Sequence, residues 1–365
     1  MNSKQRLVTA IDGGIPDRLP VTTHHLMPYF MEKYMNGMSE LEFFNHFGMD
    51  PIQWIWPFVT IPPNPEHWRI ESRNIPDSKY ITIRYDLSTP DKTLTTVIQR
   101  SASSDWVIER LLKDKNDIDL IAKYAPSVQC DVEEANRQVK EFGTRGIVRS
   151  SVPGFEIYGQ PGCWQDAAVL YGIERLILET YDDPGWVKAF LEILKKRKLD
   201  TIRTMAGAKL DIVELGGGDA SSTVISPKIF DEFVAPYDKE LIDEAHRSGQ
   251  KIAYHTCGGM MPLLERIAGM EPEAMETFTP PSLGGDADLR EAKRRIGERV
   301  CMIGGFDQCC FFQGCTPEET RQAVRRSFDE AGAGGGFILA PSDHFFDAEI
   351  ELIAAFADEA RRCVY

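Results

Sequence analysis

Residues Leu210–His255 read LDIVELGGGDASSTVISPKIFDEFVAPYDKELIDEAHRSGQKIAYH. Two short runs rich in aliphatic and β-branched residues, Leu210–Leu215 and Lys251–His255, flank a longer stretch, Ser226–Ser248. In that stretch the apolar positions recur at helical spacing. Ser226-Pro227 opens it as a helix start and Gly249 closes it. Strand, helix and strand in succession form a βα unit, whose strands pair in parallel.

Working outward, the same alternation covers most of the chain. Candidate strands lie at Arg18–His24, Pro51–Ile55, Gly146–Val152, Leu210–Leu215, Lys251–His255, Ala274–Phe278, Arg299–Ile303 and Gly336–Pro341. Two further helices carry clear start signals. Pro184–Met205 follows Asp182-Asp183, and Thr316–Ala331 begins TPEE, with Thr316 as N-cap, Pro317 at N1 and Glu319 at the capping-box position. The Gly-rich run Ala331–Gly336 precedes a strand, so it reads as a helix-to-strand turn and not as a phosphate loop. Eight parallel strands with helical connections predict an α/β fold of the (β/α)8 TIM-barrel type; a doubly wound sheet uses the same elements. One interval breaks the pattern. Residues 68–108 predict two or three antiparallel strands with a turn at Ser88-Thr89-Pro90-Asp91, an insertion after the second barrel strand that could lie over the mouth. The expected organisation is a single domain over residues 1–365.

The 365 residues suffice for a large core without disulfides. A net charge of −15 argues against nucleic acid and against an anionic membrane surface as partners. No run of 18 apolar residues predicts a membrane span, and the opening MNSKQRLVTAIDGG lacks the apolar core of a secretory signal. The expected location is therefore cytoplasmic, with the eight cysteines as reduced thiols or metal ligands.

The sharpest chemical signal is Tyr254-His255-Thr256-Cys257-Gly258-Gly259, at the C-terminal end of an apolar strand. Residues i and i+2 of a strand face the same side, so His255 and Cys257 can reach one ion, and imidazole with thiolate suits Zn2+. The same two residues also fit a buried thiol beside a hydrogen-bonded histidine. Barrel active sites lie at this end of the strands. Further ligands are sought there in Asp343 and His344 after the last strand, and in Glu214 and Asp219 around the Gly216–Gly218 run, whose glycines allow close approach. Cys309-Cys310 are adjacent, so their side chains diverge and they read as loop thiols. His24, His25, Trp54, Trp56, Tyr158, Cys163, Trp164, Phe306 and Asp307 also fall at strand ends, where they could line a mouth for an organic group or cofactor face; each aromatic alone fits core packing as well.

Several segments resemble the uroporphyrinogen decarboxylase superfamily, and within it the zinc-dependent corrinoid methyltransferases of the methylcobalamin:coenzyme M type. They are KQRLVTAIDGGIPDRLPV (4–21), LSTPDKTLTT (87–96), GGGDASSTVISPKIFDEFVAPY (216–237), HTCGG (255–259), MIGGFDQCCFFQGCTPEET (302–320) and GGFILAPSDH (335–344). The resemblance implies a (β/α)8 barrel. The decarboxylases carry an arginine-rich segment after the first strand that clamps substrate carboxylates. Here that segment, THHLMPYFMEKYMNGMSELEFF (23–44), has no arginine. The methyltransferases bind zinc with His-x-Cys and a later Cys. His255 and Cys257 match the first two, whereas the later position falls near Asp343, in Ser-Asp-His.

The resemblance therefore implies methyl transfer between a corrinoid carried by a separate protein and a small thiol or methyl-ether substrate. The expected metal ligands are His255, Cys257 and Asp343, with His344 in reserve, and Glu214 and Asp219 orient the substrate. No Asp-x-His-x-x-Gly cobalamin signature occurs in the chain. The competing reading is a cofactor-free tetrapyrrole decarboxylase, which would draw on Arg84, Arg100, Arg110 and Arg149. A homodimer is left open as an assembly.

Overall fold

The computed structural model describes residues 1–76 and 79–365. After helices at Ser3–Ile11, Pro28–Tyr34 and Glu40–Phe47, the chain enters its main sheet at β1 (Ile52–Trp54) and leaves through β2 (Phe58–Ile61). It then builds four antiparallel strands, β3 (Arg69–Asn74), β4 (Ile81–Ser88), β5 (Thr93–Arg100) and β6 (Asp105–Glu109). It returns by β7 (Ser127–Cys130), which pairs antiparallel with β2. From there strands alternate with helices through β8 (Ile147–Ser151), β9 (Ile212–Gly216), β10 (Ile252–His255), β11 (Ala274–Thr277), β12 (Cys301–Phe306) and β13 (Phe337–Pro341). The main sheet is parallel throughout, in the order β1-β8-β9-β10-β11-β12-β13.

Seven of the expected parallel strands are present among the described residues, each within a few residues of its expected bounds. The eighth, Arg18–His24, is not a strand. It is reduced to one parallel bridge, Val21 to Leu339. Its backbone still links the two ends of the sheet. Thr22 N donates to Leu339 O at 3.0 Å, Leu339 N to Pro20 O at 2.9 Å, and Asp50 N, just ahead of β1, to Val21 O at 2.7 Å. Two features keep this link short. Pro20 has no N–H to give a ladder, and the N–H of Val21 is taken by the Asp50 carboxylate at 3.1 Å. The insertion has four strands where two or three were expected. Its β4–β5 turn is closed by Thr89 N to Lys92 O at 3.0 Å, and it packs beside the segment following β8 through Trp68 against Phe155.

The alternation of each strand positions the site. Ile52, Ile147, Ile212, Ala253 and Ala274 face one small inner core with Ile303, Ile338 and Ala340, and Leu7, Ala10 and Ile11 of the first helix join it. Val148, Val213, Ile252 and Met275 face the opposite way, into the large core shared with the helices. Two positions along each strand returns the chain to the inner side. That step gives Trp54, Arg149, Glu214, His255 and Glu276: a polar ring built directly above the apolar floor.

The helices follow their sequence signals. Pro184–Thr204 is capped by Asp183, and Pro317–Ala331 has the full capping box of Thr316 and Glu319. The Ser226–Ser248 stretch is helical but interrupted, with a π turn at Phe230–Val234 before Ala235–Arg247. Residues 332–336 form the expected helix-to-strand turn.

Candidate active site

Arg149 lies at the centre of the polar ring. Its Nη1 donates to Glu276 Oε2 at 2.8 Å and its Nη2 to Glu214 Oε2 at 2.6 Å; Nη2 also contacts Glu276 Oε1. The guanidinium lies over the Trp54 ring, 4.4 Å from its centroid, a cation–π contact formed across the β1–β8 register. His255 and Glu276 are partners in the β10–β11 register, and their side chains meet at 3.1 Å, Nδ1 to Oε1. His24 stacks on His255 with centroids 5.1 Å apart.

The charges follow from these contacts. Burial pushes the Glu276 carboxyl up, but the Arg149 charge and two histidines outweigh it and hold it well below the usual carboxylate range. Burial dominates at Glu214, which is raised despite Arg149. Burial would lower His255; hydrogen bonds with Cys257 and Glu276, with the charge of Glu214, reverse this and hold the imidazole well above its usual value. His24 and His25 go the other way. Burial drives His24 well down and His25 to about 3, and His344 is lowered for the same reason.

Cys257 follows on the same side as His255, as the spacing requires, and its thiol is close enough to interact with that imidazole. Two glycines make room, one for the His255 backbone and one for the Cys257 thiol. Gly216 adopts φ +102°, where a Cβ would run into the His255 carbonyl, and a Cβ on Gly218 would collide with Cys257 Sγ.

Two groups bring ligand-type atoms within 4.8 Å of one another: His24, Glu214, His255 and Glu276, and separately His24, His25 and His344. Neither includes Cys257 or Asp343, both expected as ligands. The Asp343 side chain is 44% exposed, and Oδ1 accepts the His344 N–H at 2.7 Å. Asp343 therefore does not join His255, and His344 joins His24 and His25 instead. Asp219 lies apart, in the 3-10 turn Gly218–Ala220, with its backbone bonded to Trp164 and Gln165. Burial raises its carboxyl and Arg110 opposes the shift. Tyr158 donates to Asp105 O at 3.1 Å, toward the insertion. Phe306 is buried against Phe312 and Phe356 and presents no face to the histidines. Asp307 caps the short helix Gln308–Phe311 and accepts from Ser282. Sequence reasoning missed Glu276 altogether and named Arg149 only as a polyacid clamp. In both, the charged residue stands two positions beyond an inward apolar one, a relation that shows only once the inward face is known.

Convergent ionisable side chains at the C-terminal ends of a parallel sheet define an α/β enzyme. The chain belongs to the uroporphyrinogen decarboxylase (URO-D) family, whose model matches residues 150–363. It is similar to uroporphyrinogen decarboxylase of Psychromonas ingrahamii, 23% identical over 240 residues, 64% of each chain. A uroporphyrinogen decarboxylase of Neisseria meningitidis is 29% identical over 139 residues, 37% of this chain and 35% of that one. The chain thus matches less than two thirds of the length of these relatives. A methyltransferase from Methanosarcina mazei shares the fold over 99% of both chains, with a TM-score of 0.63 at 14% identity. Among the described residues no helix is long and apolar enough to cross a membrane.

Proposed function

We propose that this chain is a cytoplasmic zinc-dependent methyltransferase, moving a methyl group between a corrinoid on a separate protein and a small thiol or methyl-ether substrate. The observation that carries the reading is His255 itself, with the Cys257 thiol beside its imidazole and Glu214 and Glu276 within ligand distance of the ring. In the same reading the Val21 segment serves as the eighth stave that closes the barrel. The name of the Methanosarcina mazei protein agrees with the activity.

The donor types suit zinc: the His255 imidazole would be joined by the Cys257 thiolate and the Glu214 carboxylate. In this reading Glu214 takes the place expected of Asp343. When bound, zinc supplies Lewis acidity that lowers the pKa of a coordinated thiol or polarises an ether oxygen. Glu276 accepts from His255 Nδ1 and so fixes the ring and the tautomer that ligates. Arg149 balances the charge of Glu276, so that carboxylate stays ionised in a buried position. Zinc at His255 would compete with the proton that Cys257 and Glu276 favour on the imidazole, so affinity would rise with pH. Trp54 closes one wall and keeps water from the Arg149 side.

The decarboxylase names of the relatives suggest the alternative, which needs arginines free to bind a polyacid. Arg149 is engaged by Glu276 and Glu214, Arg84 by Asp86, Arg100 by Asp105, and Arg110 reaches the Val169 carbonyl. These engagements favour methyl transfer. The test is elemental analysis of the purified protein beside Cys257→Ser. The variant is expected to lose one equivalent of zinc; an unchanged zinc content would remove Cys257 from the centre.

A further inference from the structure

The second histidine group is a distinct feature. His24 and His25 follow the Val21 bridge, and His344 follows β13, so the bridge to Leu339 makes the two loops neighbours. Ring centroids lie 4.4 Å apart for His24 and His25, and 5.4 Å from each of these to His344. The Trp54 ring stacks on His25 at 4.1 Å and fixes its plane.

Two observations point to a ligand. The side chain of His24 is only 8% exposed, yet its Nδ1 makes no hydrogen bond, Glu276 Oε1 standing off at 3.8 Å, and the buried Nε2 of His344 has no hydrogen-bond partner. A buried polar nitrogen without a partner is costly, and a bound cation satisfies it. The neighbouring carboxylates already have a resident cation in the Arg149 guanidinium; the three imidazoles have none. Burial also favours the neutral imidazole, the form that ligates.

We propose that His24, His25 and His344 form a second cation site, taking one divalent ion of borderline softness such as Zn2+ through three imidazole nitrogens. Imidazole suits such ions, and a three-histidine set leaves a fourth position open. Three uncharged ligands leave the charge of the ion uncompensated, so the open position favours an anionic group of the substrate. His25 and His344 lie outside the group around His255, which shares only His24 with this site.

Chelator-stripped full-length protein is titrated with Co2+ as a spectroscopic probe, alongside His25→Gln, His344→Gln and Cys257→Ser. Thermal melts matched to wild type establish that each variant is folded; should a glutamine variant melt early, His25→Asn and His344→Asn replace it. Wild type is expected to bind two equivalents. Each histidine variant should bind one and keep the thiolate-to-cobalt charge-transfer band, while Cys257→Ser should bind one and lose that band. A folded histidine variant that takes up as much Co2+ as wild type, at the same affinity, overturns the proposal. Should wild type bind a single equivalent, its loss in both histidine variants supports the three-histidine site and removes the Cys257 centre; its survival in them does the opposite.

Discussion

Glu276 governs the centre because three partners depend on it: Arg149, His255 and, at 3.8 Å, His24. Glu276→Gln keeps the shape and removes the charge. Arg149 then retains only Glu214, and His255 loses the acceptor that orients it. We expect a stability loss of about 3 kcal/mol in denaturant unfolding, the scale seen when one partner of a buried ion pair is removed. Zinc affinity should fall by about 10–100-fold, as it does when the carboxylate behind a metal-bound histidine is lost. An unchanged affinity would show that His255 is held by something else. His255, Cys257 and Glu214 were legible in the sequence because they stand at or just past the ends of apolar runs. Glu276 and Arg149 were not, because both faces of these strands are apolar and nothing local says which face is inward. Beyond the last strand residue the two-residue period stops. That is why Asp343 and Asp307, placed by counting past strand ends, point elsewhere; Phe306, the last residue of β12, falls on the outer face with Met302.

At the scale of elements, β10 and the helix Ala235–Arg247 are joined by a buried polar pair, Tyr254 OH donating to Asp238 Oδ2 at 2.8 Å. Burial pushes the Asp238 carboxyl up to about 6, more than the hydrogen bond from Tyr254 pulls it down. Between roughly pH 4 and pH 6 the folded protein therefore holds a proton that the unfolded chain has released. This group's contribution is full below pH 4 and is lost as pH rises through 6, a change of about 3 kcal/mol. Asp238→Asn has no such titration. Its stability relative to wild type should improve by about 2 kcal/mol from pH 4.5 to pH 7.5 in paired denaturant melts, since part of the change is already spent below pH 4.5; a constant difference would show that Asp238 is ionised throughout. Helix ends were the most legible elements, because Thr316–Glu319 and Asp183-Pro184 act within a single turn. The π turn at Phe230–Val234 was not read, although Pro236, which has no N–H to give the Glu232 carbonyl, stands just after it. The first strand was overread because its apolar run looks complete, while the Asp50 side chain that takes the Val21 N–H lies far along the chain.

For the whole molecule, the two ends of the sheet meet through Asp50. Its fully buried carboxylate binds Arg6 at 2.6 Å, Arg18 at 3.1 Å and the Val21 N–H. Asp50→Asn leaves two arginines short of an anion and should cost about 3 kcal/mol. It should also loosen amide protection at Thr22 and Leu339, measured by hydrogen exchange, ahead of the rest of the sheet; uniform loosening would mean that the link is not a separate element. The parallel α/β class was plain from alternation alone, because each strand and helix carries its own period. The meeting of the sheet ends and the packing of His344 beside His24 are long-range results that no local window contains. If zinc at His255 and Cys257 activates a substrate for methyl transfer, the absorbance of methylcobalamin incubated with the protein and candidate thiols reports it. Zinc-loaded protein is expected to convert the methylcobalamin spectrum, to lose that activity after chelation, and to regain it when zinc is restored. Equal conversion by stripped and loaded protein, or none with any thiol or methyl ether while uroporphyrinogen is decarboxylated, would contradict the methyl-transfer reading.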